Sequence, residues 1–137
     1  MSEQIAVQEA LIYAMVTVSA ADSNMTDAEL KTIGDLVKGL PIFIDYDPEA
    51  LLLTASSCAD KLQGENGLSD VLNLIADSLE PRLYDTAYAL AVEVAAADGK
   101  LEREELRLLQ MLRNRLSLDR LTVAAIERSA IARFRTA

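Results

Sequence analysis

The 137-residue sequence contains no histidine and no tryptophan, and it has one cysteine, five glycines and three prolines. Without histidine it lacks the commonest general acid–base residue. The single cysteine, Cys58, excludes an intramolecular disulfide, and nothing near it indicates a lowered pKa. The shortage of glycine and proline argues against a disordered chain. If the protein is an enzyme, only carboxylate or metal-assisted chemistry remains to it.

Aromatic residues are scarce at 4%, whereas hydrophobic residues make up 51% of the chain. Leu, Ala, Val and Ile must therefore fill the interior, and that composition suits helices better than strands. No apolar run approaches the roughly 20 residues of a membrane-spanning helix, and the N-terminus lacks a basic signal region. The longest apolar runs, residues 10–21 and 87–97, have the length of buried core helices. We expect one cytoplasmic all-α domain over residues 1–137, without membrane insertion.

Charge is unevenly distributed along the chain, whose net charge is −9. Residues 1–112 contain 20 acids and 7 bases, whereas residues 113–137 contain six arginines and two acids. An acidic body repels nucleic acid and attracts cations or basic partners, so we expect no nucleic-acid binding. The arginine-rich C-terminal helix has two interpretations: a contact with RNA or anionic lipid, or a solvated face that offsets the acidic body. The second is the usual behaviour of such charge runs.

Helical periodicity and cap signals predict about seven helices, and no segment alternates long enough for a strand. Thr26-x-x-Glu29 has the form of a capping box. Asp47-Pro48 supplies an N-cap and a first-position proline. The predicted helices cover residues 3–21, 26–38, 47–64, 70–79, 81–97, 102–116 and 119–134. Residues 42–44 have no predicted conformation.

The sequence contains an internal repeat, in which residues 16–36 recur at residues 92–112. Eight of the 21 aligned positions are identical, where ordinary residue usage gives about one or two. The repeats run from about residue 10 to 40 and from about 82 to 116. Their shared unit reads Ala-Ala-Asp-[Ser/Gly]-x-[Met/Leu]-x-x-x-Glu-Leu. A duplicated helix pair with pseudo-twofold packing is the best explanation.

Each copy of this unit offers an aspartate in a loop and a glutamate in the next helix. Residues 98–105 contain the aspartate, glycine and glutamate that form the second half of a calcium-binding EF-hand loop. Val94 and Ala96 stand where the first two oxygen ligands belong, so this is not an EF-hand. Each copy provides about half of the ligand shell that a hard cation needs.

The two glutamates are predicted to point toward the interior or its rim. Glu105 lies on an apolar stripe with Leu101 and Leu109, and Glu29 lies on one with Met25 and Ile33. A buried carboxylate without a partner costs several kcal/mol, so each needs N–H groups, a base or a metal. If both loops meet at one pole, the acids converge. The candidate ligands are Asp22, Glu29, Asp98 and Glu105, with Asn24, Glu93 and the carbonyls of Ala21 and Ala97 as further candidates.

Three of these residues have alternative interpretations. Each buried glutamate can instead cap its own helix, which suits the first copy with Thr26 as N-cap and suits the second less well, because Glu102 is a poor N-cap. Capping and metal binding use the same residues and are not exclusive. Glu93 is either an outer-shell acid of the site or a polar residue at the solvent edge of its helix.

At these residues the chain resembles the TerB family of tellurite-resistance proteins, in which each half carries Ala-Asp-Gly-x-[Ile/Leu]-x-x-x-Glu. Residues 97–105 match that motif, and residues 21–29 match with Ser23 in place of glycine. The resemblance covers about residues 5–133. It implies a cytoplasmic protein of tellurite and general stress resistance, acting beside membrane-bound and Ca²⁺-binding partners, with a metal site on Asp22, Glu29, Asp98 and Glu105. Ser23 puts the first half-site in doubt, because serine is strained where glycine tolerates a positive φ.

Three functions remain open. The leading hypothesis is a non-enzymatic adaptor that binds a divalent cation, with Ca²⁺ first and Mg²⁺, Mn²⁺ or Zn²⁺ as alternatives, and with proteins of a resistance system as partners. The second is a plain acidic interaction module whose carboxylates only cap helices. The third is a metal-assisted hydrolase, although no glycine loop or basic cluster for a substrate accompanies the acids. The sequence does not fix the oligomeric state.

Overall fold

A computed structural model describes residues 4–20, 25–97, 99 and 101–137, which form seven α-helices and no strand. The helices are α1 Val7–Ser19, α2 Asp27–Gly39, α3 Leu51–Leu62, α4 Gly67–Ser78, α5 Tyr84–Ala95, α6 Arg103–Arg115 and α7 Arg120–Arg133. Three short 3₁₀ helices lie between them, at Pro41–Phe43, Pro48–Ala50 and Pro81–Leu83. The predicted all-α fold is confirmed.

Helices α1 and α5 form the centre of the molecule and pack against each other. All residues of α1 from Ala10 to Ser19 are buried. A helix that is apolar nearly all round must be covered on several sides. Accordingly, α1 also contacts α3, α4 and α6, while α5 also contacts α2, α6 and α7. The prediction that the two longest apolar runs are core helices is confirmed. None of the described helices combines the length and hydrophobicity needed to cross a bilayer.

Four helix starts differ by several residues from the prediction: α1 begins at Val7 rather than at residue 3, and α4 begins at Gly67 rather than at residue 70. The other two departures, at α3 and α5, occur at prolines. Residues 47–64 were predicted as one helix, but they form the 3₁₀ helix Pro48–Ala50 followed by α3. Asp47 is an N-cap as expected, and its carboxylate accepts the Glu49 N–H at 3.0 Å. Pro81 likewise begins a 3₁₀ helix before α5. Proline fixes φ at a helix start, and the first turn there is often 3₁₀. Residues 42–44, without a prediction, overlap the 3₁₀ helix Pro41–Phe43.

Corresponding helices of the two predicted repeats have corresponding bounds and contacts. Both ends of α6 fall at the positions equivalent to the ends of α2, and α5 ends at the position equivalent to the end of α1. The C-cap residues Ala20 and Ala96 each donate to the carbonyls two and four residues earlier. Helix α1 contacts α3 and α6, and α5 contacts α7 and α2 in the same way. The duplication itself stays a prediction, and α4 has no counterpart in the second half.

Polar side chains also join the outer helices to the central pair. The Tyr88 hydroxyl donates to Glu127 Oε2 at 2.5 Å, and the same oxygen accepts from Arg113 Nη1 at 3.1 Å, which ties α5 to α6 and α7. Cys58 of α3 is fully buried against α1, with its Sγ 3.6 Å from Thr17 Oγ1. Cys58 is therefore a small buried residue of the core.

Candidate cation site

Glu29 is the third residue of α2 and is only 2% exposed. Its Oε1 accepts the Thr26 N–H at 2.9 Å and the Thr26 hydroxyl at 3.2 Å. Thr26 Oγ1 in turn accepts the Glu29 N–H at 3.1 Å. The predicted capping box is therefore confirmed. Glu29 Oε2 accepts no hydrogen bond from another described residue.

Glu105 holds the equivalent position in α6 and is also 2% exposed. Its Oε1 accepts the Glu102 N–H at 3.1 Å. The Glu102 side chain makes no capping hydrogen bond, as expected of a poor N-cap. Both glutamates thus point inward as predicted, and both reach back to the backbone at the start of their helix. Only in the first copy does the side chain of the N-cap residue accept the backbone N–H of the glutamate in return.

Glu9 provides an internal comparison outside the repeated unit. It is the third residue of α1, and its Oε1 accepts the Ala6 N–H at 3.2 Å. Three helices of this protein therefore use a glutamate at the same position to satisfy the N–H of the N-cap residue. Capping is an established role of Glu29 and Glu105, and it does not by itself require a cation.

Both carboxylates lie at the rim of the core, next to the loops. Glu105 is followed one turn later by the buried Leu109, but the residue one turn earlier, Leu101, is 43% exposed. The sequence placed Leu101 on the buried stripe, and this is wrong because α6 begins only at Arg103. Ile33 is likewise buried one turn after Glu29, while Met25 before it is only half-buried.

The loop ligands of the predicted site cannot be placed relative to these glutamates. Asp22, Asn24 and Asp98, together with Ala21 and Ser23, lie outside the described residues. Among the residues that the structure does describe, no three acidic or cysteine side chains form a group suited to a metal. The convergence of Asp22, Glu29, Asp98 and Glu105 therefore stays a prediction.

Gly99 gives the second loop a backbone that favours glycine. Its φ is +78°, a left-handed conformation that residues with a Cβ rarely adopt. A Cβ added there would meet no atom within 4 Å, so a substitution is opposed by backbone conformation alone. Backbone conformation thus explains why glycine stands at this position of the motif in the second copy. Its counterpart in the first copy, Ser23, lies outside the described residues.

Two glycine-to-alanine substitutions are expected to have opposite effects on stability. Gly99→Ala should lower the free energy of unfolding by about 1 kcal/mol, because alanine is strained at positive φ. Gly34→Ala, inside α2 and with open space for a Cβ, should raise it by about 0.5–1 kcal/mol. Urea unfolding followed by circular dichroism measures both. A Gly99→Ala variant as stable as the wild type would contradict the left-handed loop.

Glu93 makes a two-point ion pair that the sequence did not reveal. Its two carboxylate oxygens contact Arg133 of α7, at 2.7 Å from Nη1 and 2.6 Å from Nη2. The Glu93 side chain is half-buried, with 20% exposed. Its partner lies on another helix and far away in the sequence, so no local pattern links the two positions. An outer-shell role for Glu93 stays a prediction.

Comparison with known proteins gives one match. The family model described as "Tellurite resistance protein TerB" matches residues 8–128, a span that includes both copies of the repeated unit. No curated protein and no solved structure matches the chain.

Proposed function

Because the chain belongs to the TerB family of tellurite resistance proteins, we propose that it is a non-enzymatic, cytoplasmic adaptor of a tellurite- and stress-resistance system that binds a divalent cation at one pole. One observation carries this proposal. Glu29 and Glu105 occupy the same position of two helices with corresponding bounds, and each is 2% exposed. Two carboxylates withdrawn from water at equivalent places are an arrangement that a shared positive ligand would stabilise.

The chemistry of these carboxylates supports a hard cation. Withdrawing a carboxylate from water costs several kcal/mol unless hydrogen bonds or a positive charge offset it. The cap bonds engage Oε1 of Glu29, so Oε2 is the oxygen that we propose as the cation ligand. Asp22 and Asp98 would add a loop carboxylate to each half, with Asn24 as a further oxygen ligand. An oxygen-only set favours Ca²⁺, Mg²⁺ or Mn²⁺ over Zn²⁺.

The charge distribution supports the proposed adaptor role. Residues 1–112 contain 20 acids and 7 bases, so most of the chain attracts basic segments. A bound cation would lower the negative charge of one pole and so change which partners associate with it. The partners we propose are other proteins of the same resistance system, including membrane-bound ones.

Calorimetric titration tests the cation site. Ca²⁺, Mg²⁺, Mn²⁺ and Zn²⁺ are titrated into the wild type and into the double variant Glu29→Gln, Glu105→Gln. We expect millimolar or tighter binding of at least one ion to the wild type and a loss of affinity of at least about 100-fold in the double variant, because two ligand carboxylates are neutralised. Glu9→Gln is the matched control, since Glu9 makes the same cap bond outside the repeat. Absence of binding to all four ions would remove the metal from the proposal.

A second candidate function is a plain acidic interaction module. The N-cap bond of Glu9, which resembles those of Glu29 and Glu105, favours it, because capping alone then accounts for all three glutamates. If this is the function, the melting temperature should change neither with a chelator nor with an added cation. A melting temperature that falls with chelator and recovers with one particular ion would exclude it.

A further inference from the structure

Six of the eight exposed large hydrophobic side chains in the described part of the chain form two clusters by position, three just before and within the first turn of α3 and three along one groove. Exposed apolar clusters of this kind usually mark interaction surfaces, whereas single exposed residues need no explanation. The charged residues beside the two clusters have opposite signs, and the proposal below rests on this difference.

The first cluster, which we call the acidic patch, lies around the start of α3. Ile44, Leu52 and Leu53 are between 71% and 84% exposed. Exposed acids accompany them at Asp45, Asp47 and Glu49. Residues 38–61 contain four acids and two bases, Lys38 and Lys61, so the segment is net negative.

The second cluster, which we call the arginine groove, lies between α6 and α7. It is a groove of about 540 Å³ with Val92 and Ala96 among its lining residues. Leu101, Leu106 and Ile131 also line it and are between 43% and 50% exposed.

Four exposed arginines lie within four residues, along the chain, of side chains that line the groove. Arg103 and Arg107 flank Leu106 on α6, and Arg128 and Arg135 flank Ile131 around the end of α7, and all four are exposed. None of the four forms an ion pair with a described residue. The acid inside the groove, Glu127, is already bound by Arg113. The exposed acids Glu102 and Glu104 stand at the N-cap and in the first turn of α6.

We propose that the arginine groove of one molecule binds the acidic patch of a second copy. Each surface offers exposed leucine or isoleucine side chains, and their charges are opposite, so contact buries apolar area while the rim charges pair. Patch and groove are both exposed in the same molecule, α3 packing on α1 and α7 on α5, so they do not cover one another. Because the two surfaces differ, the contact is head-to-tail, and each molecule that joins leaves one patch and one groove for further molecules until a ring closes.

Sedimentation velocity of the full chain tests the proposal. We expect the average mass to roughly double between about 10 μM and about 1 mM, the range of a small transient interface. About 0.5 M salt should weaken the association, because it screens the rim charges. A wild type that stays monomeric over this range would overturn the proposal.

Single variants locate the contact. Ile131→Glu should abolish association through the groove, and Leu53→Lys should abolish it through the patch. Leu121→Glu is the matched control, because Leu121 lies on the same helix as Ile131, is 85% exposed and does not line the groove. It should associate like the wild type. Equal loss in Leu121→Glu and Ile131→Glu would overturn the assignment of the groove.

Mixing the two defective variants gives the sharpest result. Ile131→Glu keeps an intact patch and Leu53→Lys keeps an intact groove, so an equimolar mixture should form a dimer although neither variant associates alone. That dimer should not grow further, because its two remaining surfaces are the mutated ones. A mixture that stays monomeric would overturn the head-to-tail arrangement.

Discussion

Between pH 9 and pH 12 the free energy of unfolding is expected to fall by about 3–5 kcal/mol through two buried groups, Cys58 and Tyr88, which resist ionisation in the folded protein. Burial also raises the pKa of Tyr13, which adds to the fall in the same direction. Burial raises the pKa of the Cys58 thiol from 9.0 to about 11. Burial and the hydrogen bond to Glu127 raise the pKa of Tyr88 from 10.0 to about 12. Both groups ionise more easily in the unfolded chain, so rising pH favours unfolding.

The direction follows from proton binding. Above pH 9 the unfolded chain loses the Cys58 proton while the folded protein retains it, and above pH 10 the same holds for Tyr88. The stabilisation from each group is complete below its unfolded pKa and is lost as the pH rises through its folded pKa. Cys58 should contribute about 2–3 kcal/mol. Tyr88 should contribute about 1–2 kcal/mol, because its partner Glu127 is partly exposed and water screens the interaction.

Two variants separate these contributions. Cys58→Ala should reduce the fall in the free energy of unfolding between pH 9 and pH 11. The fall above pH 10 that is caused by Tyr88 should remain. Tyr88→Phe should do the reverse, and at neutral pH it should also cost about 1.5–3 kcal/mol, the usual contribution of a hydrogen bond to a charged group. Urea unfolding at a series of pH values measures all three proteins. A Cys58→Ala variant with the wild-type slope between pH 9 and pH 10 would show that the thiol is not the group that titrates.

The elements that the sequence predicts well are those whose signals are local. The apolar runs of α1 and α5 predict buried helices, and Thr26-x-x-Glu29 predicts a capping box. Each of these signals is contained within one helix or its first turn. The inward direction of Glu29 and Glu105 also follows from helical spacing, and the structure confirms it.

What the sequence misses depends on contacts between distant segments. Glu93 with Arg133, and Tyr88 with Glu127, join residues 40 and 39 positions apart, and no periodic pattern relates such positions. The exposure of Leu101 was missed for a different reason. A helical stripe was extended past the point where α6 begins, so a loop residue was counted with the helix. The cation site depends on both kinds of information, because its glutamates lie on helices and its aspartates lie in loops.

A divalent cation at 100 times its dissociation constant is expected to stabilise the wild type by about 2.7 kcal/mol, since only the folded protein holds the ligands together. Glu29→Gln and Glu105→Gln should each remove this gain almost completely if the two halves form one shared site. Without cation, the free energy of unfolding of each single variant should be less than about 1 kcal/mol below that of the wild type. The reason is that the glutamine carbonyl oxygen still accepts the N–H of the N-cap residue. Urea unfolding with chelator or with the ion identified by calorimetry measures both quantities.

The pattern across the two single variants distinguishes a shared site from two separate half-sites. In a shared site the losses are strongly non-additive, because removing either ligand leaves too few oxygens, and the double variant is no worse than either single one. Two separate half-sites would instead bind two ions, and each variant would lose one of them. The sequence difference between Ser23 and Gly99 then matters, because the left-handed φ of Gly99 suits glycine and disfavours serine. If the second half binds more tightly for that reason, Glu105→Gln should remove more of the cation-dependent stabilisation than Glu29→Gln. Equal and additive losses would instead indicate two equivalent sites, and the glycine of the second loop would then serve the backbone alone.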